Sequence, residues 1–219
     1  FDDLMTRDNS LHTTPSVQLY IAGFPCQPFS PAGLQKGFKD KRGTIFYGCA
    51  DYIDSKRPWI FVLENVGKLI NHSGGETFKQ VMQTLTMIGD GAYAVDWKVL
   101  DTQDHGVPQS RKRVYVVGVR KDRQRSEISF PEPLPRVSIE SFLDPVDRVP
   151  TMEDLPPESS KTARGNVQRT LEKLAAGGER PLLKTFLIDH GSSAGRCSVM
   201  QDKVMCITKS QAAGHWVTS

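Results

Sequence analysis

The fold is decided by Val17-Gln18-Leu19-Tyr20-Ile21-Ala22-Gly23 and the loop that follows it, Phe24-Pro25-Cys26-Gln27-Pro28-Phe29-Ser30. The first seven residues are typical of a β-strand that ends at a glycine. The loop continues to Gly43 and is rich in glycine, proline and serine. Two prolines near Cys26 stiffen the loop and would hold the thiol in one place, as a nucleophile requires. Cys26 is therefore a candidate nucleophile, and the alternative is an inert cysteine buried in a turn.

The rest of the first half alternates between helical and strand patterns. Apolar residues have helical spacing over 44–56 and 76–88. Residues 59–63 form a continuous apolar run, which is typical of a parallel strand buried on both faces. Further strands are predicted near 93–100 and 113–119. This order predicts an open α/β sheet, in which ligands bind beyond the carboxyl ends of the strands.

Two more motifs carry polar side chains at predicted strand ends. Leu63-Glu64-Asn65-Val66 places a carboxyl group directly after the apolar run, so we expect Glu64 and Cys26 to share one pocket. The alternative is a solvated Glu64 beside a helix cap formed by Asn65. In Gly106-Val107-Pro108-Gln109-Ser110-Arg111-Lys112-Arg113, two arginines at i and i+2 enter a strand and should point to the same face. They could bind phosphate or a carboxylate, or simply form a basic sheet edge.

The second half differs from the first in its composition and in its predicted secondary structure. Seven prolines between 130 and 160 exclude long regular elements there. Residues 161–176 are predicted to form a helix stopped by Gly177 and Gly178, and 182–219 to form short strands and turns. We therefore predict one domain over 1–121 and a smaller region over 122–219.

Composition excludes several classes of protein. The 219 residues contain no apolar run long enough to span a membrane, and no signal peptide is recognisable. The net charge of +3 is a weak signal of nucleic-acid binding. Four cysteines without a C-x-x-C pair, and five histidines without ligand spacing, predict no metal site. Cys49, Cys197 and Cys206 are interpreted as small apolar fillers in a reduced protein.

Taken together, the three motifs and Lys36-Gly37-Phe38-Lys39-Asp40-Lys41-Arg42-Gly43-Thr44 resemble the DNA cytosine-5 methyltransferase family. The resemblance covers residues 1–121 nearly continuously. It implies part of a Rossmann-like methyltransferase sheet that uses S-adenosylmethionine, followed by part of a small, irregular target-recognition region. The family's Phe-x-Gly-x-Gly cofactor loop and its C-terminal motifs are expected outside this sequence. The isolated chain is therefore expected to bind the cofactor poorly and, with the strand at 17–23 as an open edge, to aggregate.

The resemblance also implies a mechanism. Cys26 would add to C6 of a cytosine flipped out of double-stranded DNA, and Glu64 would hydrogen-bond the ring N3. The methyl group of S-adenosylmethionine would then be transferred to C5. Arg113 would contact the cytosine and its phosphate, Arg111 would orient Glu64, and Asn65 would support the loop.

Further roles follow from the same resemblance and are assigned residue by residue. Asp3, Pro25 and Ile45 match positions near the cofactor. DNA contacts are implied for Gln27, Ser30, Arg42 and Gln109. Such an enzyme would act in the nucleus of a eukaryote, or otherwise in the cytoplasm beside the nucleoid.

Three other functions remain open at this point. A similar branch of the family methylates cytosine in transfer RNA with the same catalytic set. A non-catalytic chromatin-binding paralogue would keep the fold, although it would not need Cys26, Glu64, Arg111 and Arg113 together. A hydrolase using Cys26 and His105 lacks a recognisable motif.

Overall fold

The computed structural model describes residues 4, 7–10, 14–25, 45–144, 151, 154–181, 183–191, 197–207 and 215–218. The chain divides into two compact units. The first comprises Phe1–Leu100 and Lys112–Glu132, and the second comprises Asp101–Arg111 and Pro133–Ser219. The sequence analysis placed a boundary after Lys121, where the catalytic region was predicted to end and the recognition region to begin. That functional division is not tested by these contacts and stays a prediction.

A four-stranded mixed sheet forms the first unit. The first five strands in chain order are β1 (Leu19–Gly23), β2 (Ile60–Val66), β3 (Tyr93–Asp101), β4 (Gln109–Ser110) and β5 (Lys112–Arg120). The sheet order is β1-β2-β5-β3, and β4 belongs to a separate two-stranded sheet. β1 is parallel to β2, whereas β2 is antiparallel to β5. The predicted α/β class is confirmed, but the sheet is mixed and not wholly parallel.

Two helices build the core of this unit against one face of the sheet. They are α1 (Ile45–Lys56) and α2 (Glu76–Gly91), and a 3-10 segment at Gly67–Gly75 precedes α2. The predictions at 44–56 and 76–88 are therefore confirmed to within three residues. Their apolar stripes meet the inward side chains of β2 and β5 in a single cluster that includes Phe46, Ile53, Phe61, Leu63, Val81, Leu85, Val114 and Val116.

The end of β2 corrects one prediction. Glu64 was expected just past the strand, but β2 continues to Val66 and Glu64 pairs with Gly23 on one side and Tyr115 on the other. The end of the apolar run was the wrong criterion, since a strand continues wherever its backbone is paired on both sides. Burial alternates along β2, so only the face that carries Phe61 and Leu63 is fully buried.

The outer strand of this sheet is exposed and apolar. Among the described residues β1 pairs with β2 alone, and Leu19 and Ile21 are 51% and 65% exposed. This confirms the expectation of an open apolar edge at residues 17–23. Across the part of the chain that the structure describes, no helix is both long and apolar enough to cross a lipid bilayer.

The second unit contains one helix and several short strands. These elements are α3 (Lys161–Ala176), β6 (Phe186–Asp189), β7 (Ser198–Gln201), β8 (Val204–Met205) and β9 (Trp216–Thr218). β6 lies between β7 and β9 and is antiparallel to both, while β8 is parallel to β4. A small core of Leu155, Val167 and Ile188 holds the unit together. The predicted helix at 161–176 and the short strands after it are confirmed.

Gly118 supplies a sharp test of the first core. A Cβ at this position in β5 would lie 2.1 Å from the ring of Phe61, which is fully buried and contacts Tyr93. We expect Gly118→Ala to lower the free energy of unfolding by about 1–3 kcal/mol, because the core cannot move aside freely. Gly67→Ala is the matched control, since its Cβ would meet only ordinary contacts at 3.4 Å. Equal thermal unfolding midpoints for the two variants would contradict this packing.

Candidate active site

An ion pair between neighbouring strands forms the centre of the candidate site. Nε of Arg113 in β5 lies 2.9 Å from Oε1 of Glu64 in β2, and the side chains are 16% and 30% exposed. Arg113 is opposite Val66, so the pair is a diagonal contact on one face of an antiparallel ladder. Partial burial strengthens this attraction relative to a solvated pair. Arg113 therefore holds the Glu64 carboxylate at a fixed position on the sheet.

Gly23 lets the carboxylate of Glu64 lie against the neighbouring strand. The two residues are partners in the parallel ladder, and a Cβ on Gly23 would lie 3.2 Å from Oε2 of Glu64. A side chain at Gly23 would therefore press on the carboxylate. The sequence pattern identified Gly23 only as a strand end, and its role beside Glu64 follows from the register.

Asn65 anchors the start of the loop that carries Cys26. Its side chain is 2% exposed, and Nδ2 donates to the carbonyl oxygen of Phe24 at 3.1 Å. Oδ1 accepts from the backbone N–H of Val66 at 2.8 Å, so both ends of the buried amide are satisfied. This bond agrees with the support predicted for Asn65.

Arg111 corrects another step of the sequence reasoning. It lies between β4 and β5, so the strand rule that would place i and i+2 on one face does not apply to it. Nη1 of Arg111 donates to Sγ of Cys206 at 3.2 Å, within the second unit. Cys206 is therefore a hydrogen-bonding partner, and its prediction as an apolar filler is wrong. The orienting role of Arg111 toward Glu64 stays a prediction.

Asp101 holds the backbone of the arginine motif and was missed in the sequence. Its side chain is buried, and Oδ1 accepts from the backbone N–H of Arg111 at 3.0 Å. Oδ2 accepts from Nε2 of Gln103 at 2.7 Å. The hydroxyl of Thr102 donates to the carbonyl of Gln109 at 2.5 Å, which fixes β4 from the same segment. No motif in the sequence pointed to Asp101 because its partners are mostly backbone groups.

The remaining predicted residues fall into two groups. Pro25 and Ile45 are half-buried on either side of residues 26–44, and Ile45 packs against the first core. Gln109 lies in β4, where it pairs with Val204 of β8. The others lie outside the described residues: Asp3, Cys26, Gln27, Ser30 and Arg42.

The cysteines of the described residues have structural surroundings of different kinds. Cys49 is 2% exposed, and burial raises the pKa of its thiol, which keeps it protonated and suits the predicted filler role. Cys197 instead contacts the carbonyl of Asp189 through Sγ at 3.2 Å, so it also has a polar contact. Within the described ranges, no three His, Cys, Asp or Glu side chains are grouped closely enough to hold a metal ion.

Comparison with known proteins gives a family and several relatives. Residues 1–181 match a family described as C-5 cytosine-specific DNA methylase. Type II methyltransferase M.NgoBI of Neisseria gonorrhoeae is 46% identical over 120 residues, which are 55% of this chain and 36% of that protein. Type II methyltransferase M.HpaII of Haemophilus parainfluenzae is 35% identical over 174 residues, or 77% of this chain and 48% of that protein.

A solved structure is also similar. The Entamoeba histolytica methyltransferase EhMeth has a TM-score of 0.47 and 20% identity, over 67% of this chain and 43% of that one. The chain spans 36% and 48% of the length of the two bacterial methyltransferases.

The Glu64–Arg113 pair can be tested by a double-mutant cycle. We expect Glu64→Gln and Arg113→Met to show a coupling of about 1 kcal/mol in urea unfolding, because each change leaves a half-buried charge without its partner. The control pair is Arg120 and Asp122, whose atoms approach to 2.7 Å but whose carboxylate is 59% exposed. Solvent screens that pair, so its coupling should be smaller. Equal coupling in both cycles would contradict the structural role given to Glu64.

Proposed function

Because the chain belongs to the C-5 cytosine-specific DNA methylase family, we propose that it is part of an enzyme that methylates C5 of cytosine in DNA. The observation that carries this proposal is the Glu64–Arg113 pair, which lies against Gly23, three residues before Cys26. A carboxylate fixed on a central strand, opposite the last residue of the strand that precedes Cys26 in the sequence, and the cysteine itself are the two groups that this chemistry needs. Both lie inside the matched range of residues 1–181.

In the proposed reaction, Cys26 acts first as a thiolate. Its sulfur forms a bond to C6 of the cytosine, and the electron pair of the 5,6 double bond moves into the ring toward C5 and N3. Glu64 shares a proton with N3 and stabilises the electron-rich ring. Arg113 keeps that carboxyl group in place through the 2.9 Å contact. These steps raise the electron density at C5, which is otherwise a poor nucleophile.

The reaction then completes in two steps. C5 would use its electron pair to form a bond to the methyl group of the sulfonium donor, whose S–CH3 bond would break and leave its electron pair on a neutral thioether sulfur. The C5 proton is lost to a base, its electron pair restores the 5,6 double bond, and Cys26 leaves C6 as the thiolate. The target base must leave the helical stack for Cys26 to reach C6, so base flipping belongs to the proposal.

S-adenosylmethionine would supply an electrophilic methyl group when it is bound. The described residues proposed to hold it are Pro25 and Ile45, whose half-buried apolar side chains fit the apolar lining that such ligands prefer. Asp3 is the third proposed contact and lies outside the described residues.

The proposed partner is double-stranded DNA, contacted by Gln27, Ser30, Arg42 and Gln109. Arg111 is proposed to line the same site. The bacterial relatives favour action beside the nucleoid in the cytoplasm over action in a nucleus.

The decisive experiment uses the full-length protein and a DNA duplex in which the target cytosine carries fluorine at C5. Fluorine cannot leave as a proton does, so the covalent adduct should persist and appear by mass spectrometry on the peptide that contains Cys26. Cys26→Ser should abolish both the adduct and tritium-methyl transfer while DNA binding remains within a few-fold, since the hydroxyl is a much weaker nucleophile. Methylation of transfer RNA but not of DNA would place the protein in the other branch.

The matched control is Cys49→Ser, because Cys49 is buried in the first core. It should retain the adduct at Cys26, although its stability will fall. An adduct that persists in Cys26→Ser would contradict the assignment of the nucleophile.

A further inference from the structure

The second unit has a cleft, lined by both polar and apolar side chains, that the proposed chemistry does not use. It lies between α3 and the residues that begin β7, and its volume is about 340 Å³. The helix contributes Asn166, Arg169, Thr170 and Lys173, and the opposite wall contains Cys197 and Val199. The helix also contributes the apolar side chain of Leu174, and the charged groups of the lining are Arg169 and Lys173.

The charge of the cleft is positive. Arg169 and Lys173 are four residues apart on α3, so they are neighbours on one helical face, and both are exposed. In the part of the chain that the structure describes, neither makes an ion pair with a carboxylate. Like charges at this spacing repel each other. An anion bound between them would remove that repulsion.

The buried side chain of Asn166 orients the guanidinium of Arg169. Nη2 of Arg169 donates to Oδ1 of Asn166 at 2.7 Å, and Asn166 is 1% exposed. The Asn166 amide in turn donates to the carbonyl of His190 at 3.4 Å. Among the described residues the guanidinium is bonded at this one nitrogen, so its other N–H groups can face a ligand. A planar fork fixed in this way loses little freedom when it binds phosphate.

We propose that this cleft binds a phosphate of the DNA backbone. The proposal rests on the proposed function, because it takes DNA as the substrate. The contact that it adds belongs to the second unit, whereas Cys26 and Glu64 belong to the first. A contact of this kind carries no base sequence but fixes the position of the protein on the duplex. Arg169 would grip the phosphate oxygens and Lys173 would neutralise their charge.

The test compares two lysines of the same helix in the full-length protein. Lys173 lines the cleft, whereas Lys161 begins α3, about 18 Å away along the helix axis. Binding of a fluorescent DNA duplex is measured at several salt concentrations. Lys173→Ala should reduce the slope of log affinity against log salt by about 0.9, as loss of one phosphate contact does, while Lys161→Ala leaves the slope unchanged.

Arg169 is tested by a pair of substitutions, since its bond to Asn166 gives it a structural role as well. Arg169→Ala should weaken DNA binding at fixed salt and raise the KM for DNA, with kcat for methyl transfer retained. Arg169→Lys should restore part of the affinity because it restores the charge. Loss of affinity in Arg169→Ala that matches a lowered melting temperature, with no rescue by lysine, would overturn the contact.

Failure of the two proposals can be told apart. If the wild-type protein methylates DNA but Lys173→Ala and Arg169→Ala keep its affinity and salt slope, the cleft is not a phosphate site and the proposed function stands. If the wild-type protein neither binds nor methylates DNA, the proposed function fails and the cleft proposal fails with it. Tight binding of an RNA duplex in place of DNA would also overturn the proposal.

Discussion

The parallel register of β1 and β2 is the constraint on which the candidate site depends. It sets Gly23 opposite Glu64, and a shift of one residue would turn every side chain of β2 to the other face. Glu64 would then face the helices, and Phe61 and Leu63 would lose the core. The apolar residues therefore position the carboxylate, although neither of them touches it. The position of the Glu64 carboxylate therefore follows from how the core specifies the strand pairing.

Asn65 connects this core with the loop. A buried amide costs free energy unless its hydrogen-bonding groups are satisfied, and here they bond to Phe24 and Val66. An apolar residue at Asn65 would fill the core equally well but would leave the Phe24 carbonyl without this donor. Asn65 is thus a polar residue at a buried position of β2, and its hydrogen bond holds the backbone of Phe24, which precedes Cys26 in the sequence.

The sequence predicted the helices better than the strand ends and the long-range polar contacts. α1, α2 and α3 were found because their apolar spacing has the helical period over three or four turns. The end of β2 was missed because Glu64 and Asn65 look like loop residues, and only their pairing with β1 and β5 keeps them in the strand. The ion pair between Glu64 and Arg113 was not predicted: the family resemblance assigned the orientation of Glu64 to Arg111, and 49 positions of sequence separate Glu64 from Arg113.

Gln109, Arg111 and Arg113 form one motif in the sequence but do not belong to one compact unit. Arg113 bonds to Glu64 in the first unit, whereas Arg111 bonds to Cys206 and Asp101 in the second. The contact between Arg111 and Cys206 joins residues 95 positions apart, which local pattern cannot reveal. Because Arg111 and Arg113 are two residues apart, the backbone there must satisfy both sets of contacts at once. The buried carboxylate of Asp101, at the end of β3, accepts the backbone N–H of Arg111 and so fixes the backbone of Arg111 within the second unit.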